Sequence, residues 1–415
     1  MLAELFPKVH RSYSSLPVLG SVLEGFAEWL SEQGYPRRPI CRHVCTARHI
    51  DRALQLGGCR AIDEITREVL HACTLARSHD DLTASTVRLL ERYLDAVELL
   101  PACPPPTRIE RELAAYVVYL KDVRGLERAT IAQHLSTAAQ LLERVGYEKN
   151  PSCLSHLTSS HIEAFVRFNG ERLCRGSLQH VIAQLRSFLR FLATQGQVPP
   201  GLDAQIDTPR MYRLEQLPKT LPWDMVRAFL RSIDRRTPLG LRDYAIFLLI
   251  ATYGLRASEI VALTLDDIHW RARRIEIHQR KTATPLELPL TDAVAQSFVD
   301  YLRRARPPLS YRELFLRARA PAGVLKPTAV TEAFQAWSRR SGLGIPFQGP
   351  HCLRHSYAVH LLRQGVSLKA IGDLLGHRSP ESTCVYLRLA VEDLRDVALD
   401  LPADDSLRTP EEVRP

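Results

Sequence analysis

The chain has 415 residues, more than one ordinary domain, and its 45% hydrophobic and 24% charged fractions are those of a soluble globular protein rather than a membrane-embedded or collagenous one. The 55 Lys and Arg against 46 Asp and Glu leave a formal charge of +9, which favours a polyanionic partner such as nucleic acid over an acidic small molecule. The nine cysteines lie singly, with no CxxC pair, and read as mostly small buried residues of a reducing compartment. The longest strongly apolar stretch, from Tyr244 to Tyr253, is far too short to span a bilayer, so a cytoplasmic protein without a membrane partner is expected.

Proline-rich breaks at 101–107 and 198–218 divide the chain into three segments. The first predicts an amphipathic helix over 22–34, ended by Gly34, and a second over 40–56. The next repeats that order, with a helix over 110–125 ended by Gly125 and another from about Thr130 through Leu142. It closes on a helix over 177–193, whose apolar positions recur at three and four while His180, Gln184, Arg186 and Arg190 fall elsewhere. That polar side suits either a DNA backbone or plain solvent.

The third segment opens on a buried helix over 242–253 stopped by Gly254 and a short helix over 256–263. Alternating runs at 268–270, 274–278 and 286–290 then predict a small antiparallel sheet, with Lys281 in a hairpin loop, and helices resume from Asp292. A disordered tail follows over 401–415.

Several residues of this segment carry chemistry. In Gly254-Leu-Arg256-Ala-Ser-Glu259, a junction of two helices can project Arg256 into a cleft, with Glu259 one turn later to orient it; an ordinary capping ion pair is the plainer reading. A helix starting near His351 puts His351, Arg354 and His355 on one face, with Leu353, Tyr357 and Leu361 opposite. Such a histidine spacing can bind zinc, but a guanidinium between the ligands would repel a dication, and a phosphate clasped by the arginine fork fits better. A structural helix with scattered His and Arg is the bland alternative. Gly376 caps the 367–375 helix and fixes His377 just beyond it; Ser379 as N-cap and Pro380 at the first position then open a helix bearing Tyr386. A phenol has a pKa of about 10 and becomes a nucleophile only where cations stabilise phenolate or a base takes its proton.

The joint order of Arg256, Lys281, His351-x-x-Arg354, His377 and Tyr386, with Leu375-Gly-His377 between, resembles the catalytic domain of the tyrosine recombinase, or phage integrase, family over about 217–399. The resemblance implies that Arg256 and Arg354 clamp a scissile phosphate and that Lys281 is the acid for the 5′-oxygen. It makes His351 the acid–base partner, His377 a hydrogen-bond donor and Tyr386 the nucleophile, with Glu259 and His355 behind them. The implied fold is mainly α with a small antiparallel β-sheet in a catalytic domain at 217–400. Helical DNA-binding modules precede it: an accessory module at 1–100, which the shared core of the family does not include, and a core DNA-binding domain at 107–200. The implied activity is site-specific recombination through a 3′-phosphotyrosyl link, without cofactor or metal. Double-stranded DNA, a homotetramer on two DNA sites at synapsis and accessory recombination proteins are the implied partners. Type IB topoisomerase-like relaxation and a catalytically silent DNA-binding protein are the alternatives. The lysine loop, Gln279-Arg280-Lys281-Thr282, departs from the glycine-flanked form common in the family.

Overall fold

In this computed structural model, the residues described are 1–75, 81–101, 105–210, 218–278, 285–377 and 379–389. Lys281 with its loop and the tail expected over 401–415 therefore lie outside the described residues. By contact, Met1–Pro101 groups with the residues that follow Leu217 into one unit, and the segment between them forms a second.

In the first segment, the Leu23–Glu32 and Arg37–Leu56 helices are joined by a turn in which Gly34 takes φ +79°. The second helix starts three residues before its expected start because Pro39 falls in its first turn, where a missing N–H costs nothing. With the Arg67–Leu75 and Asp81–Ala96 helices they enclose a core of their own around Phe26, Val44, Ile50 and Leu90. This core touches the last segment through the backbone, where Ala322 N–H donates to Gln33 O at 3.1 Å.

The middle segment opens with a capping box, in which the Thr107 side chain accepts from Glu110 N–H and the Glu110 carboxylate accepts from Thr107 N–H. The Arg108–Val118, Arg128–Arg144, Ser159–Gly170 and Arg175–Thr194 helices close around Leu141, Phe165, Phe188 and Leu192. Val198, Leu202 and Ile206, from the proline-rich stretch, are buried in the same core. On the last helix, Arg186 donates to Ile206 O and Arg190 pairs with Asp203, so part of the polar side left open to DNA or solvent braces the chain that follows.

In the last segment, β1 (Ile268–His269), β2 (Arg274–His278) and β3 (Pro285–Pro289) form an antiparallel sheet in that order, pairing Ile275 with Ile268 and with Leu288. Ile275, Ile277 and Leu288 point into a core shared with the Pro238–Tyr253, Asp292–Arg304 and Pro327–Ser341 helices. Helices do not simply resume after Asp292: between Arg304 and Pro327 the chain is irregular, with a bridge from Leu316 to Val324. The cysteines also depart from expectation. Of the eight described, Cys59, Cys73 and Cys352 are buried, Cys41 and Cys153 are half-buried against the edges of their cores, and Cys45, Cys174 and Cys384 are exposed. Among the described residues no helix is long and apolar enough to cross a membrane.

One polar network is sealed in this core. Arg242 Nη2 donates to Asp243 Oδ1 at 2.7 Å and Trp337 Nε1 donates to Asp243 Oδ2 at 2.9 Å, while Arg242 Nη1 reaches Leu316 O. Asp243 thereby ties two helices to the irregular stretch. Removing it strands a buried guanidinium, so Asp243→Ala is expected to lower unfolding stability by about 3–5 kcal/mol. Equilibrium urea unfolding followed by tryptophan fluorescence reads this directly, and a loss within error of zero would contradict it.

Candidate active site

The Pro238–Tyr253 helix ends on Gly254, at φ +67°, and the Leu368–Leu375 helix on Gly376, at φ +59°. Both are left-handed caps, a conformation that other residues adopt only with strain. A Cβ on Gly254 would also come within 2.6 Å of Leu375 Cδ2 and 2.8 Å of Tyr357 Cδ1, so the two helix ends approach closely because one of them stops on glycine.

The arginines are held at these ends. Arg354, 2% exposed on the His351–Arg363 helix, donates through Nη1 to Gly254 O and through Nη2 to Leu375 O at 2.6 Å. Arg256, the N-cap of the Ala257–Ala262 helix, donates through Nη2 to Gly376 O at 3.3 Å. Its Nη1 donates to Glu259 Oε1 at 2.7 Å, and its own N–H donates to Glu259 Oε2 at 2.8 Å. Helix C-termini carry partial negative charge on their unpaired carbonyls, so each guanidinium sits where the backbone favours a cation. Burial and the neighbouring Arg256 pull Arg354 down to about 10, still charged at neutral pH.

The sequence periodicity put Arg354 on a polar face opposite Leu353, but both are buried, since this helix is covered on both sides. His351 remains exposed at the helix start, and its ring meets His355 edge-on at 4.5 Å. Tyr386, in the turn of 3₁₀ helix Val385–Leu389, is 1% exposed, and its hydroxyl lies 2.9 Å from His355 Nδ1. Burial raises the Tyr386 phenol above its ordinary value, against the opposing pull of Arg354 and Arg256. His377 stacks beside the phenol at 6.3 Å between ring centroids, and its Nδ1 lies 2.8 Å from Thr383 Oγ1. Thr383, 2% exposed, has no sequence signal beyond its place one turn before the tyrosine. The helix carrying it, Glu381–Cys384, starts on Pro380 as N-cap, one residue later than expected, because Ser379 turns its hydroxyl to Glu381 instead of to the backbone.

Five of the six residues expected to carry chemistry, Arg256, His351, Arg354, His377 and Tyr386, thus lie together with Glu259 and His355 in one cluster, while Lys281 lies outside the described residues. Among the described residues no three His, Cys, Asp or Glu side chains gather as a metal-holding group. Burial first, then the surrounding cations and rings, pushes both His355 and His377 down to about 4. In the unfolded chain each titrates near about 6.5, so as pH falls the unfolded state binds protons first. Stability from these two groups is therefore complete above about pH 6.5 and declines toward about pH 4. The urea midpoint of the DNA-free protein should fall between about pH 7 and about pH 5, by less in His355→Phe; a midpoint independent of pH in that window would contradict the burial of neutral rings.

Residues 219–393 match the model of the phage integrase family. A putative integrase/recombinase, y4rA, of Sinorhizobium fredii is 32% identical over 385 residues, covering 91% of this chain and 93% of that protein. Tyrosine recombinase XerD of Listeria monocytogenes serotype 4b is 32% identical over 286 residues, 68% of this chain and 95% of the relative. Among solved structures, XerH site-specific recombinase bound to difH substrate, in a pre-cleavage complex, shares the fold at TM-score 0.52 with 17% identity, over 75% of this chain and 89% of that one. With Tyr386 seated among the two arginines and the histidines, and with 32% identity sustained along nearly the whole chain, the protein belongs to the phage integrase family of tyrosine recombinases.

Proposed function

We propose that this chain is a site-specific DNA recombinase that cuts and rejoins double-stranded DNA through Tyr386, for integration, excision or transposition of a mobile element. The observation that carries the reading is the seat of the Tyr386 hydroxyl, 2.9 Å from a neutral histidine and behind two guanidiniums fixed by backbone carbonyls. Cleavage requires a phenolic oxygen to attack phosphorus while charge on the phosphoryl oxygens is neutralised, and those are the groups present.

In the first step Tyr386 Oη forms a bond to the scissile phosphorus and the bond from phosphorus to the 5′-oxygen breaks. The phenolic proton passes to His355 Nδ1, with His351, its edge-on neighbour, as the next acid–base group on that helix. Lys281 gives a proton to the departing 5′-oxygen. Arg256 and Arg354 keep N–H groups beyond those spent on carbonyls, and these stabilise the equatorial oxygens. His377 Nδ1 pairs with Thr383 Oγ1; with Thr383 as the donor, the hydrogen of the neutral ring is on Nε2, where it serves as a donor to the same phosphate. The phosphoester energy is retained in the 3′-phosphotyrosyl link, and the 5′-hydroxyl of a partner strand reverses the step. Exchange between two duplexes calls for four protomers at synapsis, where accessory recombination proteins can join. Relaxation of supercoils by a lone protomer is disfavoured, because the relatives that align along most of this chain are named recombinases.

Tyr386→Phe removes only the attacking oxygen. It should bind DNA as the parent does and form no covalent complex with a nicked duplex drawn from the DNA flanking the gene, as read on a denaturing gel. A DNA-linked band from the Phe variant would overturn the assignment.

Lys281→Ala should be slow on an ordinary phosphodiester and largely rescued by a 5′-bridging phosphorothiolate, whose sulfur leaves without a proton. Equal defects on both substrates, measured as single-turnover cleavage, would place the acid elsewhere, with Arg280 the first alternative.

A further inference from the structure

The first 101 residues carry 12 Lys and Arg against 13 Asp and Glu, so this module has no overall attraction to a polyanion. Its charges are nonetheless segregated. Five of the twelve cations, Arg37, Arg38, Arg42, Arg48 and Arg52, lie on the single helix Arg37–Leu56, while the Leu23–Glu32 helix carries Glu24, Glu28 and Glu32 with no cation and the Asp81–Ala96 helix mixes Asp81, Glu91 and Asp95 with Arg88 and Arg92.

Within the Arg37–Leu56 helix the separation is sharper. Ile40, Val44, Ala47, Ile50 and Leu54 are buried in the module's core, whereas Arg38, Arg42, Cys45, His49 and Arg52 are exposed and follow one another at steps of four, three, four and three, with Arg48 beside them. These positions form one stripe along the helix. Its single acid, Asp51, is turned inward and fully engaged, accepting from Val18 N–H at 3.0 Å, Leu19 N–H at 2.6 Å and Gln55 Nε2 at 2.6 Å. Among the described residues none of Arg38, Arg42, Arg48 and Arg52 makes an ion pair. Beside the stripe lies a recess of ≈ 500 Å³ whose lining includes Arg48, His49, Arg52 and Gln55 together with Asp51, the carboxylate already engaged by three donors.

We propose that this stripe is a second DNA surface, on which the Arg37–Leu56 helix lies against the phosphate backbone of duplex flanking the site that Tyr386 cuts. From Arg38 to Arg52 the helix rises about 21 Å, the length of about six base pairs at 3.4 Å each. Arg38 with Arg42, and Arg48 with Arg52, each four apart, therefore reach phosphates along one strand, and the absence of an exposed acid on the stripe removes the repulsion that a solvated mixed-charge face would carry. No base-reading element is involved: Arg and His side chains presented to phosphates position a duplex without specifying its sequence. The proposal rests on the chain being a DNA recombinase.

The test uses the full-length chain with Arg38, Arg42, Arg48 and Arg52 all changed to Gln, and two half-variants, Arg38→Gln with Arg42→Gln and Arg48→Gln with Arg52→Gln. A control carries Arg60→Gln and Arg88→Gln, exposed arginines of the same module outside the Arg37–Leu56 helix. Affinity for a duplex of several helical turns is measured against salt, together with the footprint on that duplex and the covalent band on a nicked site. Each lost phosphate contact lowers the slope of log affinity against log salt by about 0.9. The fourfold variant should lose about two to four units of slope and the flanking part of its footprint, each half-variant about half of that, while the control matches the parent and the covalent band persists. An unchanged slope and footprint would overturn the proposal. So would an unchanged slope with lost self-association, which would assign the stripe to a protein partner. If the parent itself forms no covalent band, the recombinase reading fails, and the salt slopes still decide whether the stripe holds DNA.

Discussion

The site depends on cations held by the backbone. Arg354 and Arg256 donate to carbonyls of Gly254, Leu375 and Gly376, all at the ends of two helices that stop on left-handed glycines. Without those stops the carbonyls would be used inside a continuing helix, and neither guanidinium would have a seat. Once seated, the arginines set the electrostatics of the rest: they help keep His355 and His377 neutral and oppose the burial that raises the Tyr386 phenol.

Burial of Tyr386 follows from the same arrangement. Tyr386 closes a small core of its own with Ala358, Val359, Ile371 and Leu375, so the turn that carries it is held by packing as well as by the bond to His355. Burial favours the protonated phenol, against the pull of the two arginines, and in the proposed cleavage its hydroxyl would exchange this partner for phosphorus.

Much of this was legible in the sequence because its signals are local. Gly34, Gly125, Gly254 and Gly376 mark helix ends within their own few residues, the alternating runs mark three strands, and Arg256 with Glu259 is a contact one turn long. Contacts made to backbone carbonyls more than twenty residues away leave no mark on composition or period. The burial of Arg354 was hidden for that reason, and periodicity assigned it to a polar face. Thr383 was hidden because a threonine one turn from a tyrosine is unremarkable until the fold sets His377 against it. The polar side of the Arg175–Thr194 helix suited DNA or solvent equally, yet two of its arginines serve Ile206 and Asp203, contacts that only the folded chain defines.

The glycine-capped helix ends bear on how such an enzyme diverges. A carbonyl is present whatever side chain its residue carries, so an arginine seated on carbonyls does not require a matching partner side chain to be retained elsewhere. Leu375 can drift to any residue that fills the same volume against Tyr357 without loosening Arg354, whereas Gly254 cannot acquire even a methyl group. Change is therefore channelled away from a few backbone-critical positions and into the packing around them, which is compatible with a fold shared at 17% identity.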